Sequence, residues 1–142
     1  MAQETTIQNI IHRFEDLKLA NVGELLGIYA KDAFFKDPFN EVRGHAAIKK
    51  IFTHMFDQVD QPHFVILKHI HQEQSLCLTW QFRFSFKNEK SQQVICGCSW
   101  LTLNDEGLIS EHRDYWDAAE ELYEKLPVLG SFMRWIKRKL KA

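Results

Sequence analysis

The chain has 142 residues, of which 45% are hydrophobic and 26% charged, so we expect one globular domain that buries its core without disulfides or structural metals. Its net charge of -1 argues against a general nucleic-acid-binding protein. Three cysteines without the spacing of a zinc site or a disulfide framework, no signal-peptide pattern and no apolar run of membrane length indicate a cytoplasmic protein.

The first sixty residues show the apolar spacing of three helices. The first has its apolar positions at Ile7, Ile10, Ile11, Phe14 and Leu17. A short second helix is predicted from Val22 to Tyr29 and a third from Ala47 to Met55. The third should end in a loop over residues 57–61, ahead of Pro62.

From residue 63 the apolar period changes to two, which predicts strands. We expect these at 63–71, 76–86, 92–103 and 108–116, the second with alternate residues Leu76, Leu78, Trp80, Phe82, Phe84 and Phe86 on one face. Helices followed by strands predict an α+β fold in which three N-terminal helices pack on a curved antiparallel sheet.

The segment that joins the second and third helices contains the run 29–33 (Tyr-Ala-Lys-Asp-Ala), then Asp37-Pro38, then Gly44. This order resembles the ketosteroid-isomerase-like and SnoaL-like branch of the NTF2-like superfamily. The run 103–109 and the pair Tyr115-Trp116 extend the resemblance over residues 7–117. It implies an NTF2-like cone as domain 1–117, with residues 118–142 as a C-terminal helical extension of the same domain.

In the family that the chain resembles, the aspartate before the proline is the catalytic base, which implies that role for Asp37. An apolar cone would desolvate this carboxylate and make it a usable base near neutral pH. The family's oxyanion tyrosine falls at Arg13 or Phe14 and its second acid at Ser99, so we do not expect steroid isomerisation by that mechanism. The structural alternative is that Asp37 forms an Asx turn or starts a helix ahead of Pro38.

The last predicted strand carries His112, Asp114 and Trp116 at alternate positions, and register with the family puts all three on the cavity side. A histidine and a second acid near Asp37 would divide acid and base roles. The alternative is that His112 and Asp114 only satisfy each other or cap the loop before Asp117. The resemblance and the aromatic stripe together predict a cavity lined by Phe52, Trp80, Phe82, Phe84, Ser99 and Trp116.

Small residues at Gly97 and Ser99 favour an open cavity over a core filled by these rings. His69 and His71 share a strand face but lack an evident third ligand, so we expect no metal. No cofactor is expected either, because proton transfer alone is the chemistry. Four outward-facing residues form an apolar patch on the face where relatives dimerise, which predicts a homodimer: Cys96, Cys98, Trp100 and Tyr115.

The C-terminal segment predicts a short helix that starts at Asp117 and a basic amphipathic helix that starts at Ser131. We favour the interpretation in which the basic helix packs over the mouth of the cone with its cations outward. The alternative is that it docks on an anionic membrane surface or an acidic partner.

Two classes of function remain open from the sequence. The first is a SnoaL-like enzyme of the isomerase, cyclase or hydratase type, acting on a small hydrophobic carbonyl, polyketide-like or lipid-like substrate through Asp37 with His112 or Asp114. The second is a non-catalytic NTF2-like module that holds an apolar ligand or a partner protein. The fold cannot decide between them, because this fold hosts both.

Overall fold

The computed structural model describes residues 2–121, 123 and 127–141. Its N-terminal part contains helices α1 (Ala2–Glu15), α2 (Val22–Leu25) and α3 (His45–Gln58), with 3-10 turns at Leu19–Asn21 and Leu26–Ile28. Gly44 precedes α3 with a φ of 94°, which favours glycine there. The second helix is shorter than predicted, because Tyr29 already has extended backbone and pairs with Ile109.

The helices pack on one face of a six-stranded curved sheet, which confirms the predicted α+β cone. The strands are β1 (Tyr29–Lys36), β2 (Glu41–Arg43), β3 (Val59–Gln72), β4 (Ser75–Phe86), β5 (Gln92–Leu103) and β6 (Ile109–Tyr115). Their order is β2-β1-β6-β5-β4-β3. All neighbours are antiparallel except β1 and β6, which are parallel, so the sheet is mixed rather than purely antiparallel.

The predicted loop over residues 57–61 is wrong, because β3 begins at Val59, directly after α3. Near its start the strand is irregular. Gln61 has a φ of 50°, and the register with β4 shifts between Asp60 and His63. Pro62 lies inside the strand. A proline is tolerated there because β3 is at the edge of the sheet and has a free side.

The sheet's inner face is mostly apolar, and its two ends differ. At one end, residues of α1, α3 and the sheet fill the space between the layers: Ile7, Ile10, Ile48, Leu76, Leu78, Leu101 and Ile109, each at most 1% exposed. Each such burial contributes about 1.5–3 kcal/mol to folding before conformational entropy is counted. At the other end the rings of β4 face α3 across an open cavity.

The C-terminal segment contains α4 (Ala118–Glu121) and α5 (Pro127–Leu140). The backbone N–H of Glu120 donates to the Asp117 carboxylate at 3.1 Å, so Asp117 caps α4 as predicted. The final helix begins at Pro127 rather than Ser131, because proline suits the first helical position. Within the described ranges, no helix is long and apolar enough to cross a membrane.

Candidate functional site

A cavity of about 800 Å³ lies between α3 and the inner face of the sheet. Most of its lining is apolar or aromatic, and five of the six predicted lining residues are among it: Phe52, Trp80, Phe82, Phe84 and Trp116. The β4 rings form a continuous wall, with Phe82 and Phe84 stacked at 5.1 Å between centroids. On the opposite side, α3 contributes Ile51, Met55 and, at the exposed rim, Lys50 and His54. The prediction that the cone contains a cavity is confirmed.

Ser99, the sixth predicted lining residue, does not line this cavity. It is 5% exposed and lies behind Trp80, whose indole Nε1 donates to its Oγ at 2.9 Å. The expectation that Gly97 leaves open space is also wrong, because a Cβ placed there would lie 2.6 Å from the Trp80 ring. The two small residues therefore make room for the indole, and Ser99 borders only a small space of about 20 Å³ behind it.

Two carboxylates interrupt the apolar lining on the same side of the cavity. Both Asp37 and Asp114 line it, and both are half-buried. Parallel pairing of β1 with β6 sets Lys36 opposite Arg113. One residue further along, Asp37 and Asp114 follow on neighbouring segments, with the alternation of a strand placing both inward. The structure thus brings these two predicted site residues to one wall.

The carboxylate of Asp37 is held by its own turn. Its Oδ1 accepts the backbone N–H groups of Phe39 at 2.8 Å and Asn40 at 2.6 Å. The Asn40 side-chain amide also lies 3.1 Å from Oδ1 and 3.2 Å from Oδ2. These contacts are those of an Asx turn ahead of β2, as the structural alternative predicted. Turn and cavity lining are compatible, since Asp37 does both.

The carboxylate of Asp114 is held instead by side chains from distant strands. The His112 Nε2 lies 2.6 Å from its Oδ1, and the Ser99 hydroxyl donates to the same oxygen at 2.5 Å. No hydrogen bond to Oδ2 comes from the part of the chain that the structure describes. One oxygen is therefore fixed by two neighbours while the other has no such partner.

Behind Asp114 the imidazole of His112 is almost completely buried, with 2% of its surface exposed. Its ring packs against Phe35 at 4.6 Å and Phe14 at 5.8 Å between centroids. His112 is thus on the inner side of the sheet, against α1, but it does not line the main cavity. His112 borders only the small space behind Trp80, so it can act on a ligand in the main cavity only through Asp114.

Tyr29 extends this series of hydrogen bonds beyond His112, towards the core. Its hydroxyl lies 2.7 Å from His112 Nδ1, and the residue is 2% exposed. Burial, followed by the negative charge of Asp114, holds the pKa of Tyr29 well above its ordinary value. The phenol therefore keeps its proton. We assign it as the hydrogen-bond donor to Nδ1, which corresponds to the tautomer with the imidazole proton on Nε2, facing Asp114 Oδ1.

The sequence predicted His112 and Asp114 but missed three other members of this hydrogen-bonded series. From the sequence, Tyr29 was expected in a helix, Ser99 as a small lining residue and Trp80 as an apolar ring. No local pattern identifies these roles, because Tyr29 and His112 are 83 positions apart. The structure joins all five residues into one buried hydrogen-bonded chain: Tyr29, His112, Asp114, Ser99 and Trp80.

The remaining histidines do not assemble a metal centre in the described ranges, where no three His, Cys, Asp or Glu side chains converge. His71 Nε2 instead lies 2.8 Å from the Glu73 carbonyl oxygen and 2.9 Å from the Gln3 amide. The titratable side chains that line the cavity are Asp37, Asp114 and, at its rim, Lys50 and His54.

Solved structures with the same fold have low sequence identity to this chain. An NTF2-like protein of unknown function from Burkholderia pseudomallei matches with a TM-score of 0.73 and 13% identity over 84% of this chain and 94% of that one. TerC, co-crystallised with polyporic acid, matches with a TM-score of 0.72 and 15% identity over 84% and 95%.

A protein with a ketosteroid isomerase-like fold from Catenulispora acidiphila, in complex with trimethylamine, has a TM-score of 0.71 and 14% identity over 82% of this chain and 88% of its own. At these identities the likeness establishes the fold alone. Among curated proteins none matches significantly. Residues 11–112, however, match the SnoaL-like domain family, and they include α3 and strands β1 to β5 but end before Asp114 and Trp116. The chain therefore belongs to the SnoaL-like domain family, within the NTF2-like fold.

Proposed function

We propose that the chain is a cofactor-independent acid–base enzyme of the isomerase, cyclase or hydratase type, with a small hydrophobic carbonyl, polyketide-like or lipid-like substrate. The observation that carries this proposal is the state of Asp114. It lines a mostly apolar cavity, its Oδ1 is fixed by His112 and Ser99, and its Oδ2 accepts no hydrogen bond from described residues. A carboxylate held in this way is a positioned base.

In this proposal Asp114 takes a proton from a carbon next to the substrate carbonyl. The C–H bond breaks, its electron pair moves towards the carbonyl oxygen to give an enolate, and the proton rests on the carboxyl group. Return of the proton to a different atom gives the isomer. Alternatively, the enolate carbon attacks a second carbonyl and closes a ring, and the alkoxide that forms takes the proton back from the carboxyl group. His112 is a positioning residue that holds Asp114 by one oxygen, and Asp37 is the second proton-transferring carboxylate of the same wall.

The cavity supports the choice of substrate class. Its aromatic walls suit a flat or lipid-like apolar molecule, and 800 Å³ is within the usual range of small-molecule sites, about 300–1,000 Å³. Proteins of the same fold have been crystallised with small molecules, polyporic acid in TerC and trimethylamine in the Catenulispora protein. We extend to this chain only the expectation that a small molecule enters the cone.

The test begins with mass spectrometry of molecules extracted from the purified native protein. Turnover and affinity are then measured on that molecule and its carbonyl analogues for Asp114→Asn, Asp37→Asn and a control, Asp32→Asn, on the exposed part of β1. We expect Asp114→Asn to lower turnover by about 10²–10⁴-fold and to leave affinity nearly unchanged. Asp37→Asn should lower turnover as well, and Asp32→Asn should not.

The second candidate is a ligand-binding module without catalysis. It is favoured by the Asx turn, which gives Asp37 a structural task, and by the missing oxyanion pair of the family's isomerases. If both cavity variants bind the extracted molecule as the wild type does, and no chemical change of that molecule is seen with any of the proteins, this second function replaces the first.

We also propose that the chain forms a homodimer through the outer face of the sheet. Trp100 is 51% exposed and Tyr115 48% exposed, and β5 and β6 bring Cys98 beside Tyr115. A large exposed apolar patch of this kind is typical of an interaction surface. Sedimentation equilibrium at micromolar concentration should give twice the monomer mass, and Trp100→Glu should halve it. A monomeric wild type would contradict the proposal.

A further inference from the structure

The final helix leaves a face of large apolar side chains in contact with solvent. The exposed fractions on α5 are 38% for Leu129, 53% for Phe132, 50% for Trp135 and 81% for Leu140. These residues recur at helical spacing, and the Phe132 and Trp135 rings stack at 6.2 Å between centroids. The expectation that α5 covers the mouth of the cone with this face is therefore wrong. None of the described α5 residues lines the cavity.

The other face of α5 is rich in cations. Arg134, Lys137 and Arg138 lie on it, Lys141 follows the helix on the same side, and residues 127–141 contain no acid. Lys137 reaches back to Glu120 of α4 at 3.4 Å, and this ion pair connects α5 to the rest of the domain. The helix thus combines an exposed apolar face with a positive face, which is the pattern of helices that bind in the plane of a membrane surface.

We propose that α5 lies flat on an anionic lipid surface, with its apolar face in the acyl boundary and its cations among the headgroups. At 14 residues it is about 21 Å long, too short to span a bilayer but long enough to lie on one. The positive face complements anionic headgroups, and Trp135 is of the residue type enriched at membrane interfaces. This inference does not depend on the proposed catalytic function.

Lys139 favours a lipid surface over an acidic protein partner. It lies on the apolar side of the helix, with its Nζ 5.8 Å from the centre of the Trp135 ring. A protein groove of fixed shape would have to bury this ammonium group among apolar side chains, which is costly. At a lipid surface the long side chain can instead extend its charge to the headgroups while its methylene groups stay in the apolar layer.

The experiment is co-sedimentation of the full chain with vesicles of phosphatidylcholine alone or mixed with phosphatidylglycerol. We expect binding only to the mixed vesicles, and weaker binding at high salt. An Arg138→Gln, Lys139→Gln, Lys141→Gln variant should bind about a hundredfold more weakly, because each cation near the surface contributes about fivefold in affinity. A Phe132→Ser, Trp135→Ser variant should also lose most of its binding.

The matched control removes three exposed lysines outside α5, with Lys49→Gln, Lys68→Gln and Lys90→Gln, and should bind as the wild type does. Thermal unfolding should be almost unchanged in both α5 variants, because the altered side chains are exposed. Three results would overturn the proposal: no binding to the mixed vesicles, equal loss in the lysine control, or a Phe132→Ser, Trp135→Ser variant that binds vesicles normally but loses self-association.

Discussion

The two carboxylates of the cavity wall are held in opposite ways. The groups that bind the Asp37 carboxylate belong to Phe39 and Asn40, two and three positions along the chain. The groups that hold Asp114 belong to a hydrogen-bonded series from other parts of the fold. Ser99 is 15 positions away, and Tyr29, which contacts His112, is on β1. One acid is fixed by a turn and the other by the tertiary structure.

This difference determines how changes around each acid affect the stability of the protein. An Asx turn on the rim can form and break without disturbing the core, and water can replace its donors. In the hydrogen-bonded series behind Asp114, Tyr29 and His112 are buried away from water. Each of their polar groups must therefore be paired for the fold to be stable. We therefore expect changes around Asp114 to affect both stability and function, and changes at Asp37 to affect function with little effect on stability.

The largest effect is expected from His112→Ala. The change opens a cavity beside Phe14 and Phe35 and leaves the Tyr29 hydroxyl buried without an acceptor. Together these should lower the free energy of unfolding by about 3–5 kcal/mol. Equilibrium urea denaturation measures it. His69→Ala, on the exposed part of the edge strand, is the control and should change stability by less than about 0.5 kcal/mol.

A His112→Ala protein as stable as the His69→Ala control would show that the buried chain does not hold the fold together. The contrast between Asp37, held by its own turn, and Asp114, held by the tertiary structure, would then not hold. An intermediate loss of about 1 kcal/mol, the size of one ordinary hydrogen bond, would mean that water enters behind Trp80 and replaces the imidazole.

The same difference explains how much the sequence could predict. The period of two in 76–86 locates β4 and its aromatic face, and the Asp37-Pro38 pair locates a turn, because both signals lie within a few residues. The predicted strands β5 and β6 match for the same reason. Alternation gives the residues that share a face of a strand, and register with the resembled family gave the inward side, on which Trp116 lines the cavity.

What the sequence could not predict depends on contacts between distant segments. Tyr29 has the spacing of the second helix, yet it becomes extended because β1 pairs in parallel with β6, a pairing that no local pattern encodes. Ser99 and Gly97 indicate empty space until the rotamer of Trp80 is known. Small residues beside large rings can mean a cavity or a close fit, and only packing distinguishes the two.

The second prediction concerns Tyr29 at alkaline pH. Because the pKa of Tyr29 is raised by burial and by Asp114, the folded protein keeps the phenolic proton at pH values where the unfolded chain, with a tyrosine pKa of about 10, releases it. Above that pH the unfolded state binds fewer protons than the folded state, so this contribution to stability is lost as pH rises. Below pH 10 it is fully present.

Tyr29→Phe should therefore cost about 1 kcal/mol at neutral pH, through the lost hydrogen bond to His112, and its stability should fall less steeply above pH 10. The difference in slope is at most about 1.4 kcal/mol per pH unit. Urea denaturation from pH 8 to pH 11 measures it. Tyr123→Phe, outside the buried hydrogen-bonded chain and the proposed dimer face, should retain the wild-type slope. Parallel curves for wild type and Tyr29→Phe would contradict the assignment of a protonated, donating phenol.

The smallest effect on stability is expected from Asp37→Asn. The new side-chain oxygen can still accept the N–H groups of Phe39 and Asn40, and asparagine forms the same turn as aspartate. Only the longer contact between Oδ2 and the Asn40 amide, at 3.2 Å, is lost. The free energy of unfolding should therefore stay within about 0.5 kcal/mol of wild type, while Asp37→Ala, which removes every acceptor, should cost about 1 kcal/mol. If Asp37→Asn destabilised the protein as much as His112→Ala does, the turn could not explain the loss, because asparagine keeps the turn. The negative charge of Asp37 would then stabilise the tertiary structure at the rim of the cone, and the contrast with Asp114 would not hold.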